Sequence, residues 1–254
     1  MQLPQAPSFR LDGQRALVTG GSRGIGLAAA TALAQAGAHV TLAARSATDL
    51  EQACQALRQA GLAADALVLD VTDSARVERD IATHGPFQVL VNNAGMNRPR
   101  PLVDTPDADI DAVLDLNVKA TFYVSRAVSR QLLAAGLPGS IINISSQMGH
   151  VGSPRRTLYC ASKHAIEGMT KALAWELGPA RIRVNTLCPT FIETDMTAPM
   201  LADPSFRQWA QEKIALQRWG RPEEVMGAVV FLASEASSLM TGSALMLDGG
   251  WTAA

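Results

Sequence analysis

Short apolar runs alternate with longer amphipathic stretches along the whole chain. The apolar runs are candidate β-strands, at residues 15–19, 39–44, 66–70, 88–92, 140–145, 183–187 and 244–247. The stretches between them, rich in Ala, Leu, Gln, Glu and Arg, predict helices at residues 25–36, 48–60, 74–83, 107–135 and 157–178. Several strands are apolar throughout instead of alternating, which is typical of a sheet covered on both faces.

This order of elements predicts one α/β fold. Strand–helix alternation favours parallel strands joined by right-handed crossovers, with helices on both faces of the sheet. No linker rich in Pro, Gly or Ser divides the chain, so we expect residues 1–254 to form a single domain. The segment 189–221 is the least regular and contains Pro199 and Pro204. We expect it to leave the sheet as a small lid over the substrate.

The composition excludes some classes of function. Apolar residues make up 48% of the chain, and the formal net charge of −1 provides no basic excess for nucleic acid. There is no run of about 18 apolar residues for a membrane span, and the N-terminus lacks the apolar segment of a secretory signal. The three cysteines, at positions 54, 160 and 188, have no metal-ligand spacing. We therefore expect a cytoplasmic protein with reduced thiols and no metal site.

The first predicted strand runs into a glycine-rich loop, TGGSRGIG, at residues 19–26. Its glycines allow a tight turn, close approach of the backbone to phosphate oxygens and close packing of helix on strand. Free N–H groups at the helix start would then hold a pyrophosphate. A glycine turn that only packs a helix is the alternative, but the strand before and helix after favour a dinucleotide site. The candidate residues are Gly20, Ser22, Arg23, Gly24, Ile25 and Gly26.

The end of the second predicted strand bears on the choice of cofactor. An acidic residue there would bind the ribose 2′-hydroxyl of NAD(H). The sequence instead has Arg45 and Ser46 at this point. Because a guanidinium pairs with phosphate bidentately, Arg45 and Arg23 favour NADP(H), with NAD(H) possible. Solvated surface arginines are the alternative interpretation.

Tyr159 is the candidate proton-transfer residue, because Lys163 follows it by one helical turn and shares its face of the helix. A phenol with an ordinary pKa of about 10 is a poor base at neutral pH, and a neighbouring cation lowers that value. Ser145 ends the fifth predicted strand, where it can hydrogen-bond a substrate oxygen. Asn117 lies mid-helix, where a short amide is a poor helix former. It either holds a proton-relaying water near Lys163 or is a buried structural amide.

Together these features resemble the short-chain dehydrogenase/reductase family, in its single-domain branch. The resemblance extends from about Leu11 to Trp251. The matching motifs are TGGSRGIG (19–26), Asp70-Val71, NNAG (92–95), Asn117, Ser145, YCASK (159–163) and the DGG near the C-terminus.

The resemblance implies a Rossmann-type, doubly wound sheet of seven parallel strands, and commonly a homotetramer or dimer. It implies a catalytic tetrad of Asn117, Ser145, Tyr159 and Lys163, in which Tyr159 is the acid/base and Lys163 binds the nicotinamide ribose. Further cofactor contacts are implied for Asp70, Val71, Asn93, Ala94, Gly95, Tyr159, Lys163, Pro189, Thr190, Ile192 and Thr194.

One position departs from the family pattern. Thr190 follows Pro189 where the family usually has glycine, which removes conformational freedom and adds bulk beside the substrate.

Asn97, Gln147, His150 and Arg155 are the candidate substrate residues. They would suit a small polar molecule such as a sugar, sugar acid, polyol or hydroxy ketone, although the loop arginines can equally be ordinary solvated charges.

Two alternative functions differ in what they require of the chain. A 3-oxoacyl-carrier-protein reductase of this family docks an acidic carrier protein on basic residues near the ends of the two long helices. Here the first end is LLAAGLP (132–138), and Trp175 precedes Glu176 near the second, which would weaken electrostatic steering. A non-catalytic NADP(H)-binding regulatory module would typically have lost Tyr159 or Lys163, and this chain retains both.

Overall fold

A computed structural model describes residues 1–253 of the chain. Within them, seven strands form one parallel sheet, in the order β3-β2-β1-β4-β5-β6-β7. Numbered in chain order, the strands are Arg15–Thr19, His39–Ala44, Ala64–Val68, Val89–Asn92, Gly139–Ile144, Ile182–Pro189 and Ala244–Leu247. The predicted Rossmann-type, doubly wound sheet is confirmed.

The strand order creates a crevice at one edge of the sheet. β1 pairs with β2 on one side and with β4 on the other, so the chain reverses its direction of winding there. In open α/β sheets, ligands bind at such a switch point, outside the carboxyl ends of the strands. The candidate site residues after β1, β2, β4 and β5 are therefore brought to the same edge.

Helices cover both faces of the sheet. In chain order, α1 to α9 are Gly24–Gln35, Ala47–Gln59, Ser74–His84, Asp107–Leu114, Ala120–Ala135, Thr157–Leu177, Ala198–Leu201, Pro204–Lys213 and Pro222–Ala233. Apolar side chains of α1, α2 and α9 form the core on one face, and those of α3, α5 and α6 form the core on the other. No helix within residues 1–253 has the length and apolar character needed to cross a membrane.

Local sequence signals set several helix ends. The Ser46 hydroxyl accepts a hydrogen bond from the Asp49 N–H at 3.2 Å and caps α2. Asp73 caps α3 in the same way through the Arg76 N–H. α5 stops at Gly136, whose φ of 63° is the left-handed conformation that glycine adopts without strain.

Two predicted boundaries were wrong. β3 covers Ala64–Val68 instead of 66–70, because Asp70 leaves the sheet and accepts hydrogen bonds from the N–H and hydroxyl of Thr72. The helix predicted over 107–135 is interrupted by a π-helical turn at Asp115–Lys119, which separates α4 from α5. Such turns are rare and often occur at functional sites.

The irregular segment after β6 contains α7 and α8. It is anchored near its two ends, where the Gly220 N–H donates to the Phe191 carbonyl and the Glu193 N–H donates to the Gly220 carbonyl. Aromatic rings in and around the segment pack on one another with centroids 5.2 to 6.3 Å apart. The rings belong to Phe191, Phe206, Trp209, Trp219 and Trp251. This aromatic cluster holds the segment beside the carboxyl ends of β5 and β6.

Candidate active site

The glycine-rich loop has the conformation that its sequence predicts. Gly20 and Gly24 have φ values of +62° and +54°, in the left-handed region that side chains rarely adopt. At Gly26 the backbone is ordinary, but an added Cβ would lie 2.1 Å from the Gly20 carbonyl oxygen. Two glycines therefore permit the turn, and the third permits close packing of α1 on the loop.

We expect Gly26→Ala to abolish NADPH binding. It should also lower the free energy of unfolding by about 1–3 kcal/mol, which is the usual cost of overpacking. The added methyl group would meet backbone, which cannot rotate away as a side chain can. Fluorescence titration with NADPH and urea denaturation measure the two effects. Gly168→Ala is the matched control, because nothing lies within 4 Å of a Cβ there and alanine is the better helix former. Normal NADPH binding by Gly26→Ala would contradict the role given to this glycine.

The loop forms one wall of a cleft of about 660 Å³ at the switch point. Most of the predicted cofactor residues line it. They are Gly20, Ser22, Arg23, Gly24, Ile25, Arg45, Asp70, Val71, Asn93, Ala94, Gly95 and Thr194. Gly26 lies beneath the loop. Ser46, Asp49 and Arg98 also line the cleft and were missed, although they follow β2 and β4 closely enough in sequence to have been candidates.

Asn93 fastens the loop to the end of β4. Its side-chain amide donates to the carbonyl oxygens of Thr19 and Gly20, each at 3.0 Å. In return, the Thr19 hydroxyl accepts from the backbone N–H groups of Asn93 and Ala94 at 3.0 and 3.1 Å. These reciprocal bonds fix the two sides of the cleft relative to one another.

Two arginines, Arg23 and Arg45, line the cleft near the ends of β1 and β2. The Arg45 side chain is exposed and, within residues 1–253, has no carboxylate within 4 Å. The Arg23 guanidinium lies 3.9 Å from the carboxylate of Asp195 and is also largely exposed. Both arginines are thus available to pair with an anionic ligand in the cleft, and Arg45 has no competing carboxylate within 4 Å in the described residues.

A smaller cavity of about 110 Å³ adjoins the cleft and holds most of the predicted catalytic residues. Ser145, Tyr159 and Lys163 line it, together with the predicted residues Asn97, Gln147, Pro189, Thr190 and Ile192. Ile25, Asn93, Gly95 and Thr194 line both spaces. A ligand in the cleft can therefore extend into the cavity and meet these three side chains.

Lys163 is held in place by the sheet. Its ammonium group donates to the Ile144 carbonyl at 2.8 Å and lies 5.5 Å from the centroid of the Tyr159 ring. The side chain is buried, with the residue only 6% exposed. One helical turn therefore places the cation beside the phenol, as the sequence spacing predicts.

Burial has the largest effect on the pKa values of Tyr159 and Lys163, whereas the sequence spacing predicted that the neighbouring charge would dominate. Burial raises the pKa of Tyr159 to about 12, and the effects that lower this pKa are a hydrogen bond with Ser146 and the charge of Arg156. Burial also lowers the pKa of Lys163 to about 8. The predicted lowering of the Tyr159 pKa by Lys163 was wrong, because burial raises that pKa and Lys163 is not among the groups that lower it. Its phenol is fully protonated at neutral pH, which is the state that donates a proton.

Asn117 lies behind the cavity instead of lining it. Its amide bonds both backbone groups of Met96, accepting from the N–H at 2.8 Å and donating to the carbonyl at 2.9 Å. It also donates to the Ser162 hydroxyl at 3.0 Å, and that hydroxyl donates to the Tyr159 carbonyl at 2.8 Å. The side chain therefore joins the loop after β4 to the second turn of α6. The Asn117 side chain is therefore a buried, fully bonded amide, and the proton-relaying water near Lys163 stays a prediction.

Two predicted substrate residues, Arg155 and His150, do not line the cavity. Arg155 has a φ of +61° and an exposed side chain outside the cavity, and its carbonyl accepts from the Arg100 N–H. His150 points to the Cys188 thiol at 3.5 Å and the Glu167 carboxylate at 3.4 Å. The neighbouring Arg156, which sequence reasoning missed, lines the cavity instead.

Several buried polar atoms in the cavity have no hydrogen-bond partner in the described residues. Within residues 1–253, Ser145 Oγ, Thr190 Oγ1 and Asn97 Oδ1 are buried without a hydrogen-bond partner. Such groups cost free energy unless a ligand bonds them. Thr190 has no positive φ, so its replacement of the usual glycine causes no backbone strain and adds a hydroxyl to the cavity. The residues present thus fit a hydroxylated or carbonyl ligand.

A phosphate-binding cleft joined to a cavity with serine, tyrosine and lysine defines a class of protein, the dinucleotide-dependent oxidoreductases that act on CH–OH groups. A family model described as enoyl-(acyl carrier protein) reductase matches residues 20–252. The chain belongs to the short-chain dehydrogenase/reductase family.

Several similar proteins are named for activities on sugars and their derivatives. Gluconate 5-dehydrogenase of Gluconobacter oxydans (strain 621H) is 41% identical over 251 residues, which are 96% of each chain. Galactitol 2-dehydrogenase of Rhizobium johnstonii is 43% identical over 96% of this chain and 97% of its own. The crystal structure of a gluconate 5-dehydrogenase from Burkholderia cenocepacia J2315, in complex with NADP and tartrate, superposes with a TM-score of 0.93. It is 38% identical and covers 97% of this chain and 98% of that one.

Proposed function

We propose that the protein is an NADP(H)-dependent oxidoreductase that transfers a hydride between nicotinamide and the carbonyl or secondary alcohol of a small polar substrate. The observation that carries this proposal is the meeting of Ser145, Tyr159 and Lys163 in a cavity that adjoins the dinucleotide cleft. When bound, the nicotinamide supplies or accepts the hydride.

The chain's own residues bind the cofactor and move the proton. The N–H groups at the start of α1 hold the pyrophosphate, and Arg45 with Arg23 pairs with the 2′-phosphate. Ser145 donates a hydrogen bond to the substrate oxygen. Tyr159 donates the proton to that oxygen during reduction and takes it back during oxidation.

Lys163 contributes by position and charge. Its pKa of about 8 leaves it mostly cationic at neutral pH. A cation beside the phenol stabilises the phenolate that forms when Tyr159 gives up its proton, so it stabilises the transition state of the transfer. We propose that the same ammonium binds the nicotinamide ribose.

The substrate class follows from the polar atoms in the cavity. Asn97, Gln147, Ser145 and Thr190 suit a substrate with several hydroxyl groups. A sugar, sugar acid, polyol or hydroxy ketone has this chemistry, and the relatives named above act on such compounds.

A carrier-protein reductase is the alternative enzyme. Its acidic partner would need basic residues at the ends of α5 and α6. In their place, Leu133 and Trp175 are exposed there, with Trp175 87% exposed. A surface of this kind lacks the charge that steers a carrier protein, so we place this function second.

The experiment is a substrate screen with both cofactors. Purified protein with NADPH or NADH is given diketones, ketoses, keto acids and acetoacetyl thioesters, and the reverse reaction is tested with sugars, polyols and sugar acids. Turnover of polyhydroxylated compounds with NADPH supports the proposal, and preference for acetoacetyl thioesters supports the alternative enzyme. Tight NADPH binding without any turnover favours a regulatory module.

We further propose that the protein works in the cytoplasm as a homotetramer or dimer. The exposed apolar side chains of Phe122 and Leu133 on α5 and of Trp175 on α6 support self-association through the two long helices. Light scattering that gives the mass of a single 26.8 kDa chain at micromolar concentration would contradict it.

A further inference from the structure

Arg156 is a buried cation at the start of α6, in the same cavity as Tyr159. The residue is only 6% exposed, and its guanidinium lies 5.8 Å from the ring centroids of both Phe191 and Phe206. One of its terminal nitrogens contacts the Met200 sulfur at 2.9 Å. Aromatic faces and a thioether are weak partners for a group with five N–H donors.

In the part of the chain that the structure describes, no anion compensates this charge. Within residues 1–253, Arg156 forms no ion pair within 4 Å, and no residue that lines the cavity is acidic. Lys163 adds a second cation to the same lining. Burial lowers the pKa of Arg156, but a guanidinium stays charged at any physiological pH. A buried, uncompensated charge is costly, so a bound anion would be strongly favoured.

We propose that Arg156 binds a carboxylate of the substrate, and that the substrate is therefore a hydroxy or keto acid with several hydroxyl groups. This inference rests on the oxidoreductase function proposed above and narrows its substrate class to sugar acids. A planar guanidinium binds a carboxylate through two parallel hydrogen bonds, which fixes orientation as well as position. The packing of Phe191 and Phe206 against Arg156 restricts its movement and excludes water.

Arg156 and Tyr159 can act on one substrate because both line the same cavity. The carboxylate held by Arg156 therefore determines which carbon of the chain reaches Tyr159 and Ser145. An uncharged polyol of the same length lacks this anchor, so it binds more weakly and in more than one register.

The test compares each sugar acid with its uncharged analogue. Gluconate and galactonate are paired with glucitol and galactitol, which have the same carbon chains and a CH₂OH group in place of the carboxylate. With NADP⁺ present, we expect kcat/KM of the better acid to exceed that of its polyol at least tenfold. Arg156→Met should bring this ratio close to one, mainly through KM, and Arg156→Lys should retain part of the preference.

Arg155→Met is the matched control. It removes the same charge one residue away, from a side chain outside the cavity, and should leave the acid-to-polyol ratio unchanged. The NADPH dissociation constant and Tm of each variant show whether it is folded. Equal losses with acid and polyol in Arg156→Met would mean a structural role and would overturn the proposal.

Ligand binding separates this proposal from the proposed function. Tartrate or gluconate should raise the Tm of the wild-type protein with NADP⁺, and not that of Arg156→Met. If the anions raise the Tm in this way but no acid or polyol is turned over, the anion site at Arg156 is supported and the oxidoreductase function is rejected. Turnover of polyols alone, with no effect of either anion, would retain the oxidoreductase and reject the anion site. A stronger preference for glucitol 6-phosphate than for gluconate would also overturn the carboxylate assignment, in favour of phosphate.

Discussion

Replacement of Tyr159 by phenylalanine is expected to lower kcat at least about a thousandfold, with the NADPH dissociation constant within about twofold of wild type. General acid–base catalysis by one positioned group contributes roughly 10²- to 10⁴-fold. Phenylalanine keeps the ring that packs beside the aromatic cluster and removes only the hydroxyl. Steady-state kinetics and NADPH titration measure the two quantities.

Tyr123→Phe is the control for this substitution. Tyr123 is the other tyrosine of the chain, lies on α5 against Arg126, and does not line the cavity. It should retain full activity. Loss of NADPH binding by Tyr159→Phe would show that Tyr159 is structural, and turnover near the wild-type rate would remove it from the proton-transfer step.

The sequence predicted the parts of the molecule that local chemistry determines. The positive φ values of Gly20 and Gly24 require glycine for reasons of local backbone conformation, and Gly26 requires it because the neighbouring Gly20 carbonyl leaves no room for a Cβ. The one-turn spacing of Tyr159 and Lys163 likewise follows from helix geometry alone. Parallel strands with apolar faces could be recognised for the same reason, because their pattern follows from burial on both sides.

Features that depend on tertiary contacts could not be predicted. The π-helical turn around Asn117 separates α4 from α5, and the Asn117 amide bonds to Met96 and Ser162, which are remote in sequence. The pKa values of Tyr159 and Lys163 depend on how deeply the lid and sheet bury them, and spacing contains no information on depth. The sequence therefore predicted correctly that the Lys163 ammonium lies beside the Tyr159 ring. It did not predict that burial has the larger effect on the two pKa values.

The choice between Arg155 and Arg156 shows the same limit on a smaller scale. Both precede α6, where no helical periodicity indicates which side chain points inward. A left-handed backbone at Arg155 directs its neighbour into the cavity, and nothing in the sequence indicates that a non-glycine residue adopts φ of +61° there. Arg156, the residue next to the predicted one, therefore contributes a positive charge to the cavity that Tyr159 and Lys163 line.

Arg45→Asp is expected to change the preferred cofactor from NADPH to NADH. Loss of a charge-assisted hydrogen bond costs about 1.5–3 kcal/mol, and the new carboxylate repels the 2′-phosphate, so kcat/KM for NADPH should fall about a hundredfold or more. A carboxylate at this point can instead accept from a ribose 2′-hydroxyl, which should preserve or raise kcat/KM for NADH. Kinetics with each cofactor at fixed substrate give the ratio.

Arg79→Asp provides the control for net charge, because it makes the same change on α3, at an exposed side chain outside the cleft. It should leave the ratio of NADPH to NADH activity unchanged. The contribution of Arg45 should also weaken as salt is raised, since its side chain is exposed and the pair with phosphate is screened. A ratio in Arg45→Asp equal to that of wild type at low salt would assign the 2′-phosphate to Arg23, whose guanidinium lies 3.9 Å from Asp195 in the protein without ligand.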